Sequence, residues 1–85
     1  MKLEGYDWRF NHQIGMAIQL KYHDLFLDDV YTHSWVQFRP EVDRIEKFEG
    51  SVRLSFERKV KSFTTLEAAK EWVIAQIVAH RMEDK

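Results

Sequence analysis

Cysteine is absent, which removes disulfides and thiolate metal sites and leaves the redox compartment open. With one proline and three glycines, the chain has no linker, no low-complexity segment and no glycine-rich phosphate loop. Charge of one sign is lacking too. The formal net charge of −1 is far from the basic balance of a dedicated nucleic-acid binder, and too weak for an imitation of DNA. No apolar run in MKLEGYDWRF reaches the length of a signal peptide or a membrane span, so the expected location is cytoplasmic.

What is present is enough for one core. Hydrophobic residues make up 45% of the 85 residues and aromatics 14%, too much for a disordered tail and suited to a single domain over 1–85. The clearest segment is FTTLEAAKEWVIAQIVAHRM, Phe63 to Met82, rich in strong helix formers and free of Gly and Pro. Thr64 and Glu67 have the spacing of a capping box. At about 100° per residue, Leu66, Ala69, Val73, Ile77 and His80 share a stripe that Ala68, Trp72, Ala75 and Ala79 widen. Such a helix needs a sheet to cover.

Upstream, the residues alternate. Tyr6, Trp8, Phe10, His12, Ile14, Met16, Ile18, Leu20 and Tyr22 occupy even positions, against mostly small or polar odd ones. This predicts strands over 4–10 and 14–22 with a turn at Asn11-His12-Gln13. VYTHSWVQFR, Val30 to Arg39, predicts a third strand that Pro40 ends. Two readings fit 41–50. One is a short helix begun by Pro40 and closed by Gly50. The preferred one is a hairpin of strands 43–48 and 51–57 about a Glu49-Gly50 turn, pairing Ile45 with Leu54 and Glu46 with Arg53. A further turn near Arg58 leads through Lys59–Phe63 into the helix. The expected fold is α+β: an antiparallel meander of four to five strands packed against one long C-terminal helix.

Catalytic chemistry finds little support. Glu57-Arg58-Lys59, with Asp43 upstream, matches the Glu-X-Lys pattern of metal-dependent nucleases, but a solvated strand end is the simpler reading. His23, Asp24, Asp28 and Asp29 lack the ligand spacing and central glycine of a calcium loop and read as an acidic surface loop. His12, His33 and His80 read as packed or half-exposed imidazoles. Ser34, Ser51, Ser55 and Ser62 carry no nucleophile-elbow motif. No enzyme activity, cofactor, metal or small-molecule substrate is expected.

Two groups point to binding. Arg53, Lys59 and Lys61 share odd parity, and Arg58 stands at the expected turn, so one sheet face is expected to present several cations to a nucleic acid. GSVRLSFERKVKSFTTLEAAKEW, Gly50 to Trp72, resembles the small N-terminal DNA-binding domain of some phage integrases. The likeness lies in its strand–turn–strand and in the Phe63-X-Thr65-X-Glu67-Ala68 junction leading to Trp72. That resemblance implies a three-stranded sheet entering the major groove with a helix packed behind. The chain departs from the family in its net charge and in having no aromatic beside Arg53.

The second group lies on the helix. Ile74 and Val78 fall on the side otherwise held by Glu67, Lys70, Glu71 and Arg81, where an i,i+4 apolar pair makes a small patch. Ile74, Val78, Lys70, Glu71 and Arg81 are therefore the expected interface for a partner protein or a homodimer. The expected function is a non-enzymatic interaction protein, an accessory, inhibitory or regulatory factor of a kind frequent in phages and mobile elements. The alternative is a nucleic-acid binder using Arg53, Arg58, Lys59 and Lys61.

Overall fold

The computed structural model describes residues 3–11, 16–22 and 30–83, with Glu83 described by its backbone alone. In chain order these form β1 (Tyr6–Asn11), β2 (Ala17–Tyr22), a 3-10 turn (Val30–His33), β3 (Trp35–Phe38), β4 (Phe48–Leu54), β5 (Glu57–Phe63) and α1 (Leu66–Glu83). The five strands make one sheet in the order β1-β2-β3-β4-β5, every neighbour antiparallel. The fold is the expected α+β meander under a C-terminal helix. The expected turn residues His12 and Gln13, and the acidic stretch holding His23, Asp24, Asp28 and Asp29, lie outside the described residues.

Register follows from parity. Tyr6 pairs with Tyr22, Trp8 with Leu20 and Phe10 with Ile18, so the alternation read from the sequence is the alternation of faces. Ile18 then pairs with Val36, and Val36 with Gly50. Even positions therefore face one way from β1 through β4. A Cβ on Gly50 would meet Trp72 and Val73, which identifies that face as the one α1 covers.

The 41–50 stretch is neither the expected hairpin nor the alternative helix. Residues 40–47 form a loop of turns and bends, and Gly50 lies inside β4. The loop satisfies its own backbone: Lys47 Nζ donates to the carbonyls of Pro40 (3.1 Å) and Val42 (2.8 Å), and Arg39 N donates to Lys47 O (2.7 Å). The hairpin turn falls at Ser55-Phe56, with Leu54 opposite Glu57, rather than at Glu49-Gly50 or near Arg58. Strand character begins late in the third apolar stretch. Val30–His33 coils, and buried Ser34 bridges its neighbours, its carbonyl accepting from Leu20 N and its Oγ from Arg53 N, both at 2.9 Å.

The helix starts one residue later than a Thr64 cap requires. Thr65 is the N-cap, its Oγ1 accepting from Ala68 N at 3.1 Å, and Glu67 pairs with Lys70 at 3.5 Å. Ala69, Val73, Ile74 and Ile77 are buried against Leu20, Val36, Val52 and Leu54. Leu66, Ala69, Val73 and Ile77 keep their expected place in the stripe, but it widens toward Ile74, leaving Ala68 and Ala79 exposed.

Candidate functional site

The helix patch is not a free surface. Ile74 is only 3% exposed, and half-buried Val78 packs against the same core. The cause is the N-terminal edge of the fold. Leu3, Tyr6, Asp7, Trp8 and Leu20 rise beside α1 and share with Glu67, Lys70, Glu71 and Ile74 a cleft of about 320 Å³. Lys70 is half-buried in it, and Glu71 is exposed. Arg81 lies one helix end away, exposed beside Leu3, Glu4, Gly5 and Tyr22. Of the expected interface, Ile74 is thus a core position rather than part of an exposed patch, Val78 and Lys70 are half-buried beside it, and Glu71 and Arg81 are exposed.

The cation face divides as well. A two-residue turn pairs even positions of β4 with odd positions of β5: Val52 with Lys59, Gly50 with Lys61, Arg53 with Arg58. Lys59 and Lys61 therefore share the helix-bearing face, where Lys61 Nζ lies 5.5 Å from the Phe63 ring. Only Arg53 and Arg58 stand together on the open face. Arg58 already has partners there. Its guanidinium lies 4.3 Å over the Trp35 ring and donates to Ser51 Oγ (2.7 Å) and the His33 carbonyl (2.9 Å). Partial burial, then the neighbouring Arg53 charge, pull its pKa below the ordinary arginine value. Glu57 and Asp43 are not brought together: Asp43 precedes the start of β4, and Glu57 faces its last residue.

A different surface was missed in the sequence. One helix, about 10 Å across, lies on a sheet whose outer strands stand roughly 19 Å apart. It cannot cover all five strands. Part of the helix-bearing face left uncovered is a groove of about 390 Å³ beside the start of α1, lined by Phe10, Met16, Ala17, Ile18, Val36, Phe38, Phe48 and Leu66. No lining side chain is ionisable or carries a polar group. Phe10 is 62% exposed and Met16 59%, while Phe38 and Phe48 stack with centroids 5.0 Å apart. The signal available in the sequence was Phe10 and Met16 continuing the even-position apolar row beyond the reach of a helix that begins at Leu66.

No family model matches this chain, and no curated protein or solved structure shows significant similarity to it. No helix among the described residues is long and apolar enough to cross a membrane.

Proposed function

We propose that this chain is a non-enzymatic interaction protein, an accessory, inhibitory or regulatory factor that works by binding protein through the groove between β1–β3 and the start of α1. One observation carries the reading: an apolar concavity with large hydrophobic side chains exposed at its rim. The occupant we assign is a second copy of the chain. Knob and hole lie on one patch, with Phe10 and Met16 beside the space they would fill in a partner. That is what a two-fold interface requires. The lining carries no charge, so two copies meet there without self-repulsion.

Light scattering over a concentration series tests this. The parent should pass from monomer to dimer, and Phe10→Glu should remain monomeric with an unchanged melting temperature, because Phe10 is exposed. A parent that stays monomeric overturns the assigned occupant. If it also selects no aromatic or aliphatic peptides from a displayed library, the protein-binding reading falls with it. The nucleic-acid reading loses support because the hairpin turn separates Lys59 and Lys61 from Arg53 and Arg58. Salt-sensitive binding to duplex DNA, abolished by Arg53→Glu, would restore it.

A further inference from the structure

Away from the groove, at the far end of the β4–β5 hairpin, three side chains form a continuous chain. Ser55 Oγ lies 3.1 Å from His80 Nε2, and His80 Nδ1 lies 2.9 Å from the Tyr31 hydroxyl. The residues come from the hairpin turn, the last turn of α1 and the 3-10 turn, and are 25 and 49 positions apart in sequence. Ser55 is exposed, with φ +40°, a left-handed conformation rare for a residue with a side chain. His80 is half-buried, its ring edge-on to Tyr31 at 5.9 Å between centroids.

We propose that Ser55 is an acyl-accepting residue activated by His80 and oriented through Tyr31. A hydroxyl within hydrogen-bond reach of a base whose other nitrogen is held by a third group is an arrangement that can activate a serine. The mechanism requires the His80 proton on Nδ1, donated to the Tyr31 oxygen, so that Nε2 can accept the Ser55 proton. With an activated acyl ester, Ser55 Oγ forms a bond to the acyl carbon as its proton passes to Nε2. The carbon–oxygen bond to the leaving group then breaks, and the departing alkoxide or phenoxide takes that proton. The product is an O-acyl serine and a free alcohol or phenol, with His80 neutral again. The outcome proposed is one acyl group per chain at Ser55. That is compatible with a binding role for the groove.

The test uses the full chain with p-nitrophenyl acetate at pH 8, followed by p-nitrophenol release and by mass mapping of the acetyl group. Ser55 should be acetylated, and Ser55→Ala should lose that label. His80→Gln keeps hydrogen-bonding groups but no basic nitrogen, and should slow Ser55 acetylation by about 100-fold or more. Tyr31→Phe should slow it by about tenfold while the melting temperature stays near the parent's, since a base that loses its orienting partner loses its aim. Acetylation confined to lysines, or a Ser55 rate unchanged by His80→Gln, overturns the proposal. If His80→Gln does not fold, the parent's own ring decides: nitrogen chemical shifts placing the proton on Nε2 would also overturn it.

Discussion

Trp72 lies on Gly50. A Cβ at Gly50 would come within 3.1 Å of the ring's Cε3 and 3.3 Å of its Cζ3. The glycine is therefore in the middle of β4 to admit an aromatic from α1, not to turn the chain. The ring is half-buried, with Phe63 packed beside it at 5.7 Å between centroids. Gly50→Ala should destabilise by about 1–3 kcal/mol through overpacking. Trp72→Ala should cost about 3 kcal/mol. The two effects should be strongly non-additive, since the alanine methyl fits once the ring is gone. Urea denaturation of both single mutants and the double mutant measures this, and additive losses would contradict the contact.

The helix cap gives a sharper contrast. Thr65→Ala should lose about 1 kcal/mol because Ala68 N–H loses its acceptor. Thr64→Ala, one residue earlier and exposed, should stay within about 0.5 kcal/mol of the parent. Equal losses at both positions would restore a cap at Thr64.

Ile74→Ala should cost about 2–5 kcal/mol, as expected for a buried aliphatic side chain. Val78→Ala should cost less, because Val78 is only half-buried. Thermal melts of the two variants decide the helix phase. A harmless Ile74→Ala would put that residue back on the surface.

On the open face, Arg58→Lys should destabilise by about 1–2 kcal/mol although the charge is kept. A lysine cannot stack flat on Trp35 while donating to both Ser51 and His33. Arg53→Lys, where the side chain is exposed, is the control. Equal stability of the two variants would show that the stacked guanidinium contributes nothing.

The acid response of the β3–β4 loop has a definite sign. A backbone hydrogen bond, then the Arg39 guanidinium 2.9 Å away, hold the Glu41 carboxyl below the usual glutamate value. A depressed carboxylate stabilises the fold above its unfolded pKa, and that contribution disappears as pH falls through the lower folded value. A carbon-detected titration should place the Glu41 midpoint below that of a free glutamate, and Arg39→Ala should move it upward. An unmoved midpoint would mean that the ion pair does not form in solution.

Local pattern determined most of the fold. Period-two alternation from Tyr6 to Tyr22 carried the pairing of β1 with β2, because side-chain period and face are the same thing in a strand. The run of helix formers from Leu66 carried α1, because propensity and the absence of Gly and Pro act within the segment itself. Pro40 marked the end of β3 by removing a backbone donor. Leu66, Ala69, Val73 and Ile77 of the apolar stripe were legible for the same local reason.

What lay beyond one element was settled only by tertiary contact. Gly50 reads as a turn until a tryptophan 22 positions later is laid on it. Arg53, Lys59 and Lys61 share a parity, yet a two-residue turn with an odd register sum sends β5 to opposite faces from β4. Ile74 sits at the border of the helix's polar side, and the rise of Leu3–Trp8 beside α1 decides that it is buried. The groove exists because a sheet wider than one helix leaves an apolar strip uncovered, and Ser55, Tyr31 and His80 meet only where three elements end. A residue's periodicity is fixed by its neighbours in the chain; its exposure and its partners are fixed by which surfaces the packed elements leave open.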